Sequence, residues 1–329
     1  MSGTENTHLI SFIVPVLNGQ KYIKTCLDSI MKEKAPTDEV ILVDNGSTDD
    51  TLKIASGYPG VQILQYPKVT ISALRNRGTE HAQGDLFAFI DCDCVICPGW
   101  RAAVESVMAD ERIHATGSIY DIPEKSTWVE RAWLSERFIP NQKINYINSG
   151  NLIIRRAVYE EVGGFNEALK TDEDSDIGAR INAKGYTIYH DSAVRVIHLG
   201  NAKTLAEHFR RKLWHSTSIL DTAFKNGIDK PFVMTIVFMI AALIALVLFF
   251  LSFRRTIDIV YAIFFLLLVS ILSALYRILR FHNFRYFFQL IILFFVFYLA
   301  RSVVITCHIV SFFKNLFQRV KYLASNPKH

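Results

Sequence analysis

The 329-residue sequence is half hydrophobic, has a mean hydropathy of +0.22 and carries a net charge of +5. Its charge is unevenly divided: residues 1–200 carry 20 basic and 27 acidic side chains, whereas residues 201–329 carry 16 basic and 4 acidic ones. An acidic first part suits cation binding, and a basic, apolar second part suits contact with anionic lipid headgroups. The polar part has no basic stripe with interleaved aromatic residues, which argues against nucleic acid as a partner.

The five cysteines are too few and too unevenly placed for a disulfide framework. Three of them follow the spacing Cys92-x-Cys94-x-x-Cys97, but no fourth ligand lies at a spacing suited to structural zinc. We interpret them as thiols packed at the end of a strand. Reduced cysteines, and a polar start over residues 1–8 without a signal segment, predict that the first domain stays in the cytosol.

The N-terminal part alternates between strand and helix patterns. Short apolar runs predict strands over residues 9–16, 39–44, 61–66 and 86–91. Helical spacing predicts helices over residues 20–31, from 49 onward, and 72–82. Ser47 and Thr48 are the candidate N-caps of the second helix. The alternation predicts an α/β fold with a doubly wound, mostly parallel sheet, whose ligands bind beyond the carboxyl ends of strands, where Asp44 and Asp91 lie.

The remainder of the polar part mixes helix and strand patterns over residues 113–191, with the clearest strand over 151–156. A polar helix over 203–225 is expected to connect it to an apolar part. The sequence therefore predicts a first domain over residues 1–228 and a membrane domain over 229–329.

The membrane domain is expected to contain three spans, over about residues 232–253, 257–276 and 286–310. The third contains Arg301 and His308, so a tilted or re-entrant segment followed by an interfacial helix is the alternative. Basic flanks predict a multi-pass protein whose first span starts in the cytosol, but they leave the side of the C-terminal tail open.

Two aspartates follow the fourth predicted strand. If the chain turns there, Asp91 and Asp93 can both reach one cation, and hard oxygen ligands suit Mg²⁺ or Mn²⁺ bound to nucleotide phosphates. A solvated turn is the alternative. The small loop after Asp44 leaves room for a base or ribose, and Arg75 and Asn76 offer planar donors to a phosphate or base unless they form an ordinary solvated helix face.

Four carboxylates crowd into residues 172–176. Their mutual repulsion favours a bound cation or acceptor nearby, although acidic residues also stabilise the start of a helix through its dipole. One of them could deprotonate an acceptor hydroxyl. His198 follows a predicted strand and is either a third metal ligand or a structural histidine.

Taken together, these segments resemble the GT-A fold, family 2 glycosyltransferases over about residues 9–215. The matching segments, in order, are residues 12–18, 43–49, 72–78, 84–93, 150–156, 162–167 and 173–180. The resemblance implies a Rossmann-like catalytic domain that performs an inverting, single-displacement sugar transfer.

The resemblance also implies residue roles. Asp174 would be the general base, and the metal, Mn²⁺ or Mg²⁺, would be held by Asp91, Asp93 and His198. The donor nucleotide would be contacted by Pro15, Val16, Asp44, Arg75, Asn76, Asp91 and Asp93. The donor sugar and the acceptor would be bordered by Gly150, Asn151 and Glu173.

Two departures from the family pattern bear on the substrate. Asn166 stands where the family usually has an aspartate, and the Gln-x-x-Arg-Trp signature of processive synthases is only approximated over residues 210–214. This favours a single transfer from a nucleoside-diphosphate sugar, a UDP-sugar by the resemblance, to polyprenyl phosphate or another lipid-linked or saccharide acceptor at a bilayer. A polysaccharide synthase-like transferase, a sugar nucleotidyltransferase and a non-catalytic scaffold are the alternatives.

Overall fold

A computed structural model describes residues 8–134, 140–169, 171–217, 230–251, 256–281 and 283–325. The chain divides into two compact units, Met1–Lys125 with Arg137–Asn201, and Ser126–Glu136 with Ala202–His329. The domain boundary predicted after residue 228 lies outside the described residues.

The first unit is built on a mixed, mostly parallel sheet. Its ten strands are β1 Ile10–Val16, β2 Glu39–Asp44, β3 Val61–Gln65, β4 Leu86–Ile90, β5 Cys94–Ile96, β6 Ala115–Gly117, β7 Gln142–Ile144, β8 Asn151–Arg155, β9 Ile188–His190 and β10 Val196–His198. Eight of them form one sheet in the order β3-β2-β1-β4-β8-β6-β9-β7, and β5 pairs separately with β10. The first four strands of the large sheet are parallel, which confirms the predicted α/β fold class.

The helices of the first unit are α1 Ile23–Glu33, α2 Thr51–Ala55, α3 Ile71–Glu80, α4 Trp100–Met108, α6 Arg156–Glu161 and α7 Glu173–Ala183; those of the second are α5 Trp128–Leu134, α8 Leu205–His215, α9 Lys230–Leu251, α10 Thr256–Phe281 and α11 Phe287–Ser325. The predicted caps of α2 were wrong, because its N-cap is Asp50. Ser47 and Thr48 instead hold a neighbouring loop: Ser47 Oγ accepts from the Asn18 amide at 2.8 Å, and the Thr48 amide donates to Asn18 Oδ1 at 2.9 Å.

Strand β1 lies inside the sheet, between β2 and β4, and is buried along its whole length. Alternate side chains enter different cores, since Phe12 and Val14 pack on one face and Ile13 on the other. Helix α3 packs very close to the second face: a Cβ added at Gly78 would lie 2.5 Å from Ile13 Cγ2. This close contact fixes the position of α3 relative to the sheet.

The chain order creates a switch point beside β1. From β1 the chain runs outward through β2 and β3, and then returns to place β4 on the other side of β1. The carboxyl ends of β1 and β4 therefore border a crevice of the kind in which doubly wound sheets bind ligands. Asp44 is the last residue of β2, and Asp91 directly follows β4.

Within its described residues, the second unit has three helices that are long and apolar enough to cross a membrane: Lys230–Phe250, Ile259–Phe281 and Phe287–Phe312. The third is part of the continuous helix α11, not a re-entrant segment. Arg301 faces its neighbours in this unit, because its Nε donates to Thr235 Oγ1 at 3.0 Å and its guanidinium lies 5.2 Å from the centre of the Phe297 ring.

Two short amphipathic helices belong to the same unit. Helix α5 buries Val129 and Ala132 against side chains of α10 and α11, among them Ala274 and Leu290. Helix α8 covers only part of the predicted connector, whose residues 218–225 lie outside the described residues.

Candidate functional site

A tight turn follows β4 and aims two carboxylates at the end of the sheet. The Cys94 amide donates to the Asp91 carbonyl at 2.9 Å, which closes the turn, and the Leu199 amide donates to the Asp93 carbonyl at 2.8 Å. The turn that the sequence required for joint action of Asp91 and Asp93 is therefore present.

Arg75 bridges this turn to the acidic segment. Its guanidinium contacts Asp91 Oδ1 at 2.8 Å and Glu173 Oε1 at 2.9 Å, and the residue is only 2% exposed. Burial acts to lower the pKa of Arg75, but the charges of Asp91 and Glu173 outweigh it and raise that pKa above its ordinary value. Because both ends of the guanidinium are engaged by carboxylates, the geometry favours a positioning role over the predicted direct contact with a phosphate.

Asp174 stands in the first turn of α7, next to Glu173. Burial, together with the neighbouring charge of Glu173, raises the pKa of Asp174 to about 6, although the Ser175 amide donates to its Oδ1 at 2.8 Å. A carboxylate with a pKa near 6 is a better proton acceptor at neutral pH than an ordinary aspartate. Helix α7 begins at Glu173, so the acidic residues lie in its first turn, where the sequence predicted that the helix dipole would stabilise them.

A second cluster forms where β5 meets β10. His198 Nε2 lies 3.5 Å from Asp93 Oδ1, and a ligand atom of Cys94 lies with both of them within 4.8 Å. The His198 ring stacks on Tyr120 at 4.8 Å between ring centres. Carboxylate oxygen suits Mn²⁺ and Mg²⁺, so Asp93 fits the predicted metal, and His198 is placed to be the further ligand that the sequence predicted. Asp91 lies against Arg75 and does not belong to this cluster.

A buried hydrogen-bond acceptor, the Asp44 carboxylate, lies at the carboxyl ends of β1 and β2. Asp44 is fully buried, and its Oδ2 accepts from the amides of Gly46 and Ser47 at 2.9 and 3.0 Å. Its Oδ1 has no hydrogen-bond partner among the described residues. Pro15 and Val16 pair with the end of β2 in register, Val16 opposite Asp44. A buried, unsatisfied acceptor of this kind suits an N–H group of a nucleobase.

Asn76 and Asn151 make bonds that explain them without a ligand. Asn76 Oδ1 accepts from the Tyr159 hydroxyl at 2.6 Å, and its amide group donates to Phe165 O at 2.9 Å. Asn151 is fully buried, accepts from Trp100 Nε1 at 3.2 Å and donates to Val194 O at 2.9 Å. Their predicted contacts with donor or acceptor stay predictions, and the geometry favours structural roles.

Gly150 borders the site through the absence of a side chain. A Cβ at this position would overlap the Asp91 carboxylate and the Tyr120 hydroxyl, and the Gly150 amide donates to that hydroxyl at 3.0 Å. Glu173 is held beside it, because Ser149 Oγ donates to Glu173 Oε1 at 3.2 Å. Gly150 and Glu173 thus lie at the carboxylate network, and their predicted place beside the donor sugar and the acceptor stays a prediction.

The sequence did not indicate Tyr120 or Gly200 as site residues, and it led us to interpret Cys94 as a packed thiol. Tyr120 carries no motif, and Cys94 is far from His198 along the chain. Only the pairing of β5 with β10, in which His198 lies opposite Cys94, brings Cys94 and His198 together. Gly200 follows His198 closely and was visible in the sequence, but its contact with Asp93 was not.

Replacing Gly200 by alanine should disturb the Asp93 carboxylate, because the added Cβ would overlap it. We expect affinity for Mn²⁺, measured by the electron paramagnetic resonance of free Mn²⁺, to fall about 10-fold or more. Gly57→Ala is the matched control, since its Cβ would meet only the Ile54 carbonyl, at 3.2 Å. Equal Mn²⁺ affinity in Gly200→Ala and the parent would contradict a metal role for Asp93.

Comparison with known proteins gives consistent matches. Residues 11–163 match the sequence model of glycosyl transferase family 2. The glycosyltransferase AglE of Haloferax volcanii is 30% identical over 202 residues, which are 57% of this chain and 66% of AglE. The chain covers only 28% to 32% of three further curated relatives.

Two solved structures share the fold. The mannosyltransferase PcManGT from Pyrobaculum calidifontis, in complex with GDP-Man and Mn²⁺, is 19% identical with a TM-score of 0.57, over 92% of this chain and 88% of that one. GalNAc-T7 with UDP, GalNAc and Mn²⁺ is 17% identical with a TM-score of 0.50, over 67% of this chain and 52% of that one. The family match and the curated relative show that the chain contains a glycosyl transferase family 2 domain over residues 11–163, and the solved structures show that its fold is GT-A-like, with apolar helices after it.

Proposed function

We propose that this glycosyltransferase moves a sugar, with inversion, from a nucleoside-diphosphate sugar to a membrane-associated acceptor. The observation that carries the proposal is the bridge made by Arg75, which joins Asp91 after β4 to Glu173, the neighbour of Asp174. The Arg75 guanidinium thereby links the turn that contains Asp91, which we assign to the donor, to the helix start that contains Asp174, which we assign to the acceptor.

The donor is proposed to bind at the carboxyl ends of β1, β2 and β4. Asp44 offers its buried Oδ1 to the base, with Pro15 and Val16 beside it. The fold neighbours were solved with GDP-Man and with UDP, which supports a nucleoside-diphosphate sugar as the donor class. UDP-sugar is our first choice from the family resemblance.

Asp93 and His198, with Asp91 adjoining, are proposed to hold Mn²⁺ or Mg²⁺ against the donor diphosphate. When bound, such an ion supplies positive charge that stabilises the leaving nucleoside diphosphate. The protein contributes the orientation of its ligands: Gly200 leaves space for the Asp93 carboxylate, and Tyr120 stacks on the His198 ring.

Asp174 is proposed to accept the proton of the acceptor, which is the P–OH proton of a singly protonated polyprenyl phosphate or the hydroxyl proton of a saccharide acceptor. As the proton moves to the Asp174 carboxylate, the acceptor oxygen forms a bond to the anomeric carbon and the bond from that carbon to the diphosphate oxygen breaks. Attack from the face opposite the leaving group inverts the anomeric configuration. Arg75, through Glu173, positions the start of α7 for this step.

The acceptor is proposed to be lipid-linked, with polyprenyl phosphate as the leading candidate and the catalytic domain in the cytosol. Three helices suited to spanning a membrane support this, as does a cationic cluster in the same unit. Lys212 Nζ lies 4.8 Å and the Arg277 guanidinium 5.1 Å from the centre of the Trp133 ring. Cations held beside an indole suit an anionic headgroup at a membrane interface.

The test uses the full-length protein in lipid nanodiscs with Mn²⁺ and a panel of UDP- and GDP-sugars. Each donor is offered with polyprenyl phosphate and with a soluble saccharide, and the released nucleotide is measured. We expect nucleoside diphosphate and transfer to the lipid, both lost in Asp93→Asn and in excess EDTA. Release of pyrophosphate would indicate a nucleotidyltransferase, and equal use of the soluble saccharide would contradict the lipid acceptor.

A further inference from the structure

The cluster between β5 and β10 contains a ligand that a hard metal does not need. Cys94 directly follows Asp93 and lies opposite His198 in the antiparallel pair. Directly opposed residues project their side chains to the same face of a sheet, which is why the thiol and the imidazole converge. The ligand atoms of the three residues all lie within 4.8 Å of one another.

We propose that Asp93, Cys94 and His198 form a three-ligand site that binds a thiophilic divalent ion, Zn²⁺ above all, through the Cys94 thiolate. Binding releases the thiol proton to solvent. The consequence for catalysis rests on the proposed function: Zn²⁺ would occupy two ligands assigned to the donor metal and so inhibit transfer supported by Mn²⁺.

The spacing of the three groups suits a tetrahedral ion. Two ligands about 2.1 Å from a tetrahedral zinc are about 3.4 Å apart. Asp93 Oδ1 and His198 Nε2 are 3.5 Å apart, so these two need almost no movement. Cys94 lies within 4.8 Å of both, and the longer zinc–sulfur bond of about 2.3 Å reduces the shift that it must make.

The three-ligand cluster is buried except on one side, which is open to solvent. Cys94 is fully buried and His198 is 3% exposed, whereas the Asp93 side chain is 24% exposed. An ion would therefore enter past Asp93 and keep a fourth position for water or a phosphate oxygen, as zinc sites with three protein ligands do.

The donor set decides which ion is favoured. Affinity rises from Mn²⁺ to Zn²⁺ for a given set of nitrogen, oxygen and sulfur ligands, and a thiolate strengthens the preference for Zn²⁺. With aspartate and histidine alone, the site would discriminate less between Zn²⁺ and Mn²⁺. Cys94 thus makes this site more sensitive to zinc than a carboxylate–imidazole site.

Cobalt is the probe for the thiolate. Co²⁺ added to the full-length protein should produce sulfur-to-cobalt charge-transfer absorption in the near ultraviolet, and Zn²⁺ should abolish it. Cys94→Ser should lose the band and weaken Zn²⁺ binding, measured by calorimetry, by at least the roughly 10–100-fold that loss of a supporting group costs. Cys97→Ser, in the same segment but outside the cluster, should keep both.

The binding and the activity measurements can fail separately. No band in the parent, or the same band in Cys94→Ser, would overturn the site whether or not any donor is used. The parent spectrum decides this even if the buried serine prevents folding. In transfer assays, Zn²⁺ should inhibit the parent and Cys97→Ser alike, and Cys94→Ser should need about 10-fold more Zn²⁺ for half inhibition. A thiolate band without any transferase activity would contradict the proposed function and leave the metal site supported.

Discussion

Asp174→Asn is expected to lower kcat by about 1000-fold while changing donor affinity by no more than about twofold. The substitution removes the proton acceptor but keeps the size of the side chain and the hydrogen bond from the Ser175 amide. Transfer is measured with the full-length protein in nanodiscs, and donor affinity by calorimetry with the nucleoside diphosphate and Mn²⁺.

Asp172→Asn is the matched control. It makes the same chemical change at the N-cap of the same helix, on an exposed residue whose positive φ of 67° asparagine tolerates. We expect its kcat within about threefold of the parent. Comparable transfer by Asp174→Asn and the parent would rule out the base, and a parallel collapse of donor affinity would make Asp174 a structural or metal-linked residue.

The pKa of Asp174 also predicts the pH dependence. A base must be unprotonated, so kcat/KM should fall as pH drops through about 6, where an aspartate at the ordinary value of 3.8 would stay active. The folded-state pKa is raised, so Asp174 contributes stability below pH 3.8 that is lost as pH rises through about 6. Asp174→Asn should therefore unfold at the same or a higher temperature than the parent at pH 7.5. Activity that persists undiminished at pH 4.5 would contradict the assignment.

The sequence was informative wherever a pattern reflects burial on both faces of a sheet. The apolar runs of β1, β2 and β4 predicted their strands within one or two residues, and Asp44 at the end of β2 and Asp91 directly after β4 marked the carboxyl edge. The carboxylate network was less visible, because the sequence offers Arg75 either as a donor to a phosphate or base or as part of a solvated helix face, and only the fold buries it between two carboxylates. The pairing of β5 with β10 could not be predicted, since strands of three residues carry too little pattern to specify a partner.

The second unit shows a similar limit. The apolar helices follow from hydropathy, but nothing in the sequence assigns α5 to them. Val129 and Ala132 are buried against α10 and α11. Truncation before Pro231, which the predicted boundary recommends, would expose this apolar face of α5. Tests of the site are therefore better made on the full-length protein.

Arg75→Met is expected to cost about 3 kcal/mol of stability, because removing one partner of a buried ion pair leaves the other charges uncompensated. Here two carboxylates, Asp91 and Glu173, lose the cation that bridges them at 2.8 and 2.9 Å. The cost lies at the low end for buried ion pairs because the Asp91 side chain is 29% exposed, so solvent screens part of its charge. For a domain of this size the loss corresponds to a Tm lower by roughly 6–12 °C, measured by thermal unfolding of the full-length protein.

Two further variants separate the bridge from a general effect of losing an arginine. Arg112→Met removes an arginine whose side chain is 89% exposed and paired with Asp110, so it should change stability by less than about 1 kcal/mol. Adding Glu173→Gln to Arg75→Met removes one of the two repelling carboxylates and should restore part of the lost Tm. If Arg75→Met unfolds at the parental temperature, or if the added Glu173→Gln lowers Tm further, Arg75 does not hold the two carboxylates together by charge. The connection that we draw between the β4 turn and Asp174 would then need another physical cause.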